Sequence, residues 1–129
     1  MRKLMILLAM VLALGGCGTA PRETMAGYQQ ITAEEAKEMM DMLDDEVVLD
    51  VREQDEFDAG HISGAVLLSV RAISADTAAA VIPELDSVVL VYCRSGNRSK
   101  TASAALAELG YSNIYEFGGI NTWPYEVEK

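Results

Sequence analysis

The sequence predicts an α/β fold in which a parallel sheet is covered by helices on both faces, in a three-layer α/β/α arrangement. The first observation is that short apolar runs alternate with helix-like segments along most of the 129 residues, an order typical of parallel strands joined by crossovers. The second is that Asp50, Arg52 and Cys93 stand at or just after the ends of such runs. Because open parallel sheets bind ligands at the carboxyl ends of their strands, these residues are candidates for a site.

Residues 1–16 are predicted to be a lipoprotein signal peptide. Met1–Lys3 is positively charged, and the next 11 residues, 4–14, are almost wholly apolar. A membrane-spanning helix needs about 20 residues, so this run fits the core of a signal peptide instead. It leads into Leu14-Gly15-Gly16-Cys17, which resembles a bacterial lipobox with Cys17 as the lipidated residue. The alternative is an ordinary secretory signal that is cut elsewhere.

Lipidation of Cys17 predicts where the protein resides. Two acyl chains anchor a protein stably, so residues 17–27 are expected to form a lipidated tether and residues 28–129 the folded domain. The protein is then exported and held on the outer face of the bacterial cell membrane, or in the outer membrane if the cell has one. Gly18 follows the cysteine. An aspartate at this position would resemble an inner-membrane retention signal, so its absence favours the outer membrane.

The first half of the domain is predicted to begin with a short extended segment and a capped helix. Thr32 and Glu35 form a capping box, and the helix runs to about Leu43. Its apolar residues recur at helical spacing and are predicted to face the core: Ala36, Met39, Met40 and Leu43. A buried strand is predicted next, over 46–51. It is followed by a short acidic helix over 53–59, which Gly60 ends, and after a turn by a third strand over 66–70.

The second half continues the alternation of helices and strands. An alanine-rich helix is predicted over 74–85 and is interrupted or ends near Pro83. A buried strand follows over 88–92, and then a helix over 99–109 with Gly110 at its C-terminal cap. The last strand is predicted over 114–117. Gly118-Gly119 and a one-turn helix that holds Trp123 close the chain.

The charge of the chain excludes one class of partner. Without Arg2 and Lys3 of the signal peptide, 8 basic residues face 20 acidic ones, for a net charge of −12. Such a surface repels nucleic acid and anionic lipid headgroups. We therefore expect no nucleic-acid partner.

The cysteine count restricts the chemistry. With Cys17 in a thioether, Cys93 is the single free thiol, so we expect no internal disulfide and no mechanism that needs a resolving cysteine in the same chain. The sequence contains one histidine, His61, and one free thiol, so we do not expect a metal site. We also expect no cofactor. No apolar stripe indicates an obligate dimer, so we expect a monomer.

The segment around Cys93 is the strongest indication of function. The predicted strand ends at this cysteine, a short glycine-containing loop follows, and the next helix directs its N-terminus at the thiol. A free cysteine has a pKa of about 8.5, and backbone N–H groups, the helix dipole, Arg94 and Arg98 would all favour the thiolate. The same donors would hold an anionic substrate. We therefore predict an ionised nucleophile that opens to the surface, in preference to a buried structural cysteine.

Three motifs, in order, resemble the rhodanese family. The first is Leu49-Asp50-Val51-Arg52 followed by residues 56–65, Glu-Phe-Asp-Ala-Gly-His-Ile-Ser-Gly-Ala. The second is Tyr-Cys-Arg-Ser-Gly-Asn-Arg-Ser at residues 92–99, which resembles the active loop, and the third is Gly-Gly-Ile-Asn-Thr-Trp at residues 118–123. Together they cover residues 28–126, essentially the whole predicted domain.

The resemblance implies sulfurtransferase chemistry. Cys93 would attack the outer sulfur of thiosulfate or a persulfide, become a persulfide itself, and pass the sulfur to a nucleophilic acceptor of the thiol or cyanide type. The persulfide is anionic, and backbone N–H groups can converge on it from the loop residues Arg94, Ser95, Gly96, Asn97 and Arg98. Arg98 is expected to fold inward and brace the loop through carbonyls or an acid, whereas Arg94 faces solvent and an anionic donor.

Three further residues are predicted to support this site. Asp50 and Arg52 are interpreted as a buried or half-buried ion pair that organises the loops, because charged residues inside a fold need partners. His61 precedes a tight turn, which favours a hydrogen-bonded structural role over that of a base for Cys93.

Two other functions remain open from the sequence. A phosphatase or arsenate reductase on the same fold resembles this chain, but its loop has five residues between cysteine and arginine, whereas residues 94–97 provide four. The other is a non-catalytic binding module, or a persulfide carrier that docks with a partner protein. The sequence does not select the physiological donor or acceptor.

Overall fold

The computed structural model describes residues 24–25 and 27–129. Within these residues the strands are β1 Thr24–Met25, β2 Tyr28–Gln30, β3 Val47–Asp50, β4 His61–Ile62, β5 Val66–Leu67, β6 Val88–Cys93, β7 Asn113–Gly119 and β8 Val127–Glu128. The helices are α1 Ala33–Met42, α2 Gln54–Ala59, α3 Ala75–Val81 and α4 Asn97–Glu108, with short 3-10 turns at Val70–Ala72 and Ile120–Thr122.

The predicted parallel sheet is confirmed. The strand order is β1-β2-β7-β6-β3-β5, and every pairing from β2 to β5 is parallel, whereas β1 is an antiparallel edge. The pair β4–β8 forms a separate antiparallel ribbon. The carboxyl ends of β3 and β6 lie side by side, because Asp50 pairs in register with Tyr92.

Alternating side chains of the central strand β6 enter two different cores. Val89, Val91 and Cys93 belong to one apolar cluster, which also contains residues of α3 and α4. Leu90 and Tyr92 belong to the other, which contains Ala36 of α1 and Phe117 of β7. This alternation is what period-2 strand geometry requires, and it confirms helices on both faces.

The capping box that the sequence predicts for the first helix is confirmed. The backbone N–H of Glu35 donates to Thr32 Oγ1 at 3.0 Å, and the backbone N–H of Thr32 donates to Glu35 Oε1 at 2.9 Å. Helix α1 then runs from Ala33 to Met42.

A short strand precedes residue 28, where the sequence predicts the folded domain to begin. Thr24–Met25 lies within the predicted tether but pairs with β2. Gly27 makes the intervening turn at φ +90°, where a Cβ atom would stand 2.9 Å from that of Ala107. The predicted signal peptide and Cys17 lie outside the described residues. None of the helices described here has the length and apolar character needed to cross a membrane.

Several other boundaries also differ from the sequence prediction. Helix α3 ends at Val81 because Pro83 disfavours helical backbone at the residue before it. The strand predicted over 66–70 is a two-residue strand followed by a 3-10 turn, where Ser69 Oγ accepts from the N–H of Arg71. Helix α4 starts at Asn97, two residues before the predicted Ser99, because left-handed Gly96 already turns the chain into the helix.

Candidate active site

Cys93 is the last residue of β6 and lies at the carboxyl end of the sheet, as predicted. Residues 94–96 form the whole loop before α4. Gly96 adopts φ +107° at the helix N-cap, a conformation that a side chain disfavours. The loop is therefore a short turn that directs the first N–H groups of α4 back toward the sulfur.

The electrostatics around Cys93 favour the thiolate. The backbone N–H of Gly96 donates to Sγ at 3.0 Å, and Ser99 Oγ lies 3.5 Å from the same sulfur. Burial raises the pKa of the thiol, but the Ser99 hydroxyl and the backbone N–H groups of Ser99, Gly96 and Ser95 lower it by more. The pKa of Cys93 consequently lies below its ordinary value, which agrees with the direction that the sequence predicts.

The expectation that Cys93 opens to the surface is wrong for this conformation, because the residue is only 1% exposed. The Arg94–Ser95 peptide is covered by Gly119, where a Cβ atom would lie 2.0 Å from the carbonyl oxygen of Arg94. The backbone N–H of Asn121 also donates to that oxygen, at 3.1 Å. In this conformation Cys93 therefore has almost no contact with solvent.

An open cavity of about 590 Å³ lies beside the loop. Its lining includes Arg94 and does not include Cys93; the other residues are Arg52, Glu56, Ala59, Gly60, Ile120, Asn121 and Val127. Arg94, Ser95 and Asn97 are exposed, as predicted for Arg94. The cavity thus combines a solvent-facing arginine with apolar side chains at the mouth of the site.

Arg98 folds inward onto an acid, one of the two arrangements that the sequence predicts. Its Nη1 and Nη2 atoms donate to Glu56 Oε1 and Oε2 at 2.8 and 3.0 Å. This bidentate pair joins α4 to α2 and holds the far end of the loop. The guanidinium is consequently engaged by a carboxylate of the protein.

The Glu56–Arg98 pair predicts that the free energy of unfolding decreases at acidic pH. The hydrogen bond from Arg98 lowers the pKa of Glu56 from 4.5 to about 2. Because the folded state holds this proton more weakly, the stabilisation is complete above pH 4.5 and is lost as the pH falls towards 2. We expect the difference in free energy of unfolding between wild type and Glu56→Gln, measured by urea denaturation, to shrink over this range. A difference that is constant with pH would contradict the ionic role of Glu56.

Asp50 and Arg52 form the predicted ion pair. The guanidinium Nε and Nη2 donate to Asp50 Oδ1 and Oδ2 at 2.9 and 2.7 Å, and the two residues are 0% and 5% exposed. Tyr92 OH also donates to Oδ2, at 2.6 Å, and accepts the backbone N–H of Ile62. Burial and the bond to Asp50 raise the pKa of Tyr92, so its hydroxyl stays protonated as a donor. The cluster ties β3 and β6 to the chain that follows α2, where Gly60 O accepts from Arg52.

His61 has the structural role that the sequence predicts. Its ring stacks on Phe57 with centroids 3.8 Å apart, and its Nδ1 lies 3.0 Å from Phe57 O. Because that carbonyl can only accept, Nδ1 carries the proton. Nε2 lies 3.4 Å from Glu128 Oε1, which is an ion pair only when the ring is protonated. The contacts that the structure describes for this ring are with α2 and β8, and none of them is with Cys93.

Two residues of the site were missed by the sequence reasoning. Glu116 is 2% exposed and Ser99 is 0% exposed, and the Ser99 hydroxyl donates to Glu116 Oε2 at 2.5 Å. The available signal was alternation in the last strand, since an acid two residues after Ile114 lies on the same face as that core residue. Among the residues that the structure describes, no three His, Cys, Asp or Glu residues are grouped to hold a metal ion.

Comparisons with known proteins agree with this geometry. The model of the rhodanese-like domain family matches residues 32–125. The chain is 34% identical over 100 residues to the thiosulfate sulfurtransferase GlpE of Pseudomonas entomophila, covering 77% of this chain and 87% of that protein. It is 32% identical over 99 residues to the probable adenylyltransferase/sulfurtransferase MoeZ of Mycobacterium tuberculosis, covering 76% of this chain and 25% of that protein.

Solved structures show the same fold. A rhodanese with anions from E. coli superposes with a TM-score of 0.61 at 27% identity, covering 65% of this chain and 98% of that one. Protein hp1203 of Helicobacter pylori superposes with a TM-score of 0.59 at 30% identity, covering 77% and 87%.

Proposed function

The chain belongs to the rhodanese-like domain family, and on that premise we propose that it moves a sulfane sulfur from thiosulfate or a persulfide to a nucleophilic acceptor through a persulfide on Cys93. The observation that carries the proposal is the environment of Cys93: the Gly96 N–H at 3.0 Å and the Ser99 hydroxyl at 3.5 Å lower the pKa of a thiol at the end of a central strand.

The proposed reaction has two displacement steps at sulfur. The Cys93 thiolate attacks the outer sulfur of thiosulfate, a new S–S bond forms, and sulfite leaves with the electron pair of the bond that breaks. A thiolate or cyanide then attacks the outer sulfur of the persulfide, and the electron pair returns to Cys93. Backbone N–H groups of the loop stabilise the anionic sulfur at each stage.

The charges at the mouth favour an anionic donor. The chain as a whole carries a net charge of −10, which repels thiosulfate. Arg52 and Arg98 are engaged by Asp50 and Glu56, whereas Arg94 is exposed and lines the cavity. We propose that Arg94 attracts the donor locally, against the field of the whole protein.

The geometry also favours sulfur transfer over phosphate or arsenate chemistry. A loop that wraps a tetrahedral oxyanion needs its arginine to face the anion, but the Arg98 guanidinium is held by both oxygens of Glu56. Only residues 94–96 precede the helix, which supports a cradle for a single sulfur atom.

Mass spectrometry of the intact protein tests the proposal. Incubation with thiosulfate should add one sulfur atom to the chain, and subsequent cyanide should remove it and yield thiocyanate. An aryl phosphate should not be hydrolysed under the same conditions. If neither thiosulfate nor an organic persulfide adds sulfur, the proposal fails and a non-catalytic binding module becomes the better description.

We further propose, from the sequence, that this reaction takes place at the outer face of a membrane to which lipidated Cys17 anchors the chain. In the bacterial host, a radiolabelled fatty acid should enter the wild-type chain and not Cys17→Ser. Labelling of both chains, or of neither, would contradict the anchor.

A further inference from the structure

The acids around the active loop differ in how their charge is compensated. Asp50 is paired with Arg52, and Glu56 is paired with Arg98. Glu116 is 2% exposed, and among the described residues no lysine, arginine or histidine forms a salt bridge with it. A buried carboxylate without a cation depends on hydrogen-bond donors to offset the cost of its burial.

Neutral groups supply the hydrogen bonds of Glu116. Gln30 Nε2 donates to Oε1 at 3.1 Å, and the Gly118 N–H and the Ser99 hydroxyl donate to Oε2 at 3.0 and 2.5 Å. The short contact connects the carboxyl group to Cys93, because Ser99 Oγ lies 3.5 Å from Sγ. Cys93, Ser99 and Glu116 are therefore three consecutive members of one buried hydrogen-bonded chain.

The direction of this chain depends on where the protons are. A hydroxyl has one proton to donate, so Ser99 cannot donate to Cys93 and Glu116 at once. With a neutral thiol, S–H donates to Ser99 and Ser99 donates to the carboxylate. With a thiolate, Ser99 donates to sulfur, and the chain stays complete only if a protonated Glu116 donates to Ser99 Oγ.

We propose that Cys93 and Glu116 share one proton through Ser99, which makes Glu116 the internal acceptor that ionises the nucleophile. The S–H bond of Cys93 breaks and leaves its electron pair on sulfur, while that proton bonds to Ser99 Oγ. The original Ser99 proton passes to Glu116 Oε2. No redox change occurs, the net charge is conserved, and each hydrogen bond of the chain reverses its direction.

The other groups that face this chain do not replace Glu116. Tyr28 of β2 lies on the Glu116 side, and burial and the Glu116 charge raise its pKa, so it remains neutral. Gln30, also on β2, cannot titrate. Arg98 of α4 interacts with the Cys93 charge but keeps its own, since the bond to Glu56 raises its pKa. His61 is held at β8 by Phe57 and Glu128.

The pH dependence of Cys93 alkylation by iodoacetamide tests the shared proton. The inference rests on the proposed role of Cys93, but alkylation reports thiolate without a sulfur donor, so the two proposals can fail separately. In the wild-type full chain we expect two steps with a flat region between them, because the singly protonated pair contains a fixed thiolate fraction. In Glu116→Gln we expect a single step in the alkylation rate, and at pH values below this step the rate should fall tenfold per pH unit.

Variants of α4 provide the control. Ser99→Ala removes the hydroxyl that bonds to both groups and should lower the flat region, because the thiolate loses its donor in the singly protonated pair, whereas Ser103→Ala should keep the wild-type profile. Ser103 is buried on the same helix, but its hydroxyl has no hydrogen-bond partner within the described residues. Two steps that persist in Glu116→Gln would overturn the proposal. If that variant does not fold, a flat region of unchanged height in Ser99→Ala would overturn it.

Discussion

Replacement of Cys93 by serine is expected to abolish sulfur transfer. A serine hydroxyl cannot form the S–S bond of the intermediate, so turnover with thiosulfate and cyanide should fall by roughly 10³-fold or more, to the background of the assay. The same variant should gain no sulfur atom when incubated with thiosulfate and analysed by intact mass. Residual transfer that exceeds background would show that another group carries the sulfur.

The fold of Cys93→Ser should be retained, which makes its loss of activity interpretable. The serine oxygen is slightly smaller than sulfur and can accept the Gly96 N–H that now donates to Sγ at 3.0 Å. We therefore expect the free energy of unfolding to change by about 1 kcal/mol or less, as for other small buried substitutions that keep a hydrogen bond. Urea denaturation of both proteins provides this control.

The parts of the structure that the sequence predicted are those with local signals. The capping box of Thr32 and Glu35, the stop at Gly60 and the end of β6 at Cys93 each depend on neighbours within a few positions. The fold class followed from the alternation of strands and helices alone. The ion pair of Asp50 and Arg52 was predictable for the same reason, since the two residues are separated by one position at a strand end.

The contacts that sequence reasoning missed depend on register between distant strands. Glu116 lies opposite Val91 of β6 and Gln30 of β2, and these pairings place its carboxyl group beneath α4, within reach of Ser99. Arg98 was predicted to bond to carbonyls or an acid, and the sequence could not identify Glu56 as the partner because it is 42 positions away. The ribbon β4–β8 was missed since two-residue strands have no period to detect.

Gly119, which packs against the Arg94–Ser95 peptide of the active loop, predicts the second large effect. Its backbone is extended, with φ −140°, so alanine is conformationally allowed there. The Cβ of that alanine would stand 2.0 Å from Arg94 O and 2.6 Å from Ser95 N. Both are backbone atoms of the active loop, which cannot yield without moving the loop itself.

We therefore expect Gly119→Ala to displace the loop and reduce sulfur transfer by about 10²-fold, the scale on which a misplacement of about 1 Å acts. Gly64→Ala is the matched control, because Gly64 has φ +84° but no other atom within 4 Å of the added Cβ. It should lose about 1 kcal/mol of stability from backbone strain and keep its transfer rate. Gly64→Ala introduces backbone strain without a close contact, whereas Gly119→Ala introduces close contacts without backbone strain. Equal losses of activity in the two variants would therefore show that stability, rather than the position of the loop, limits the reaction.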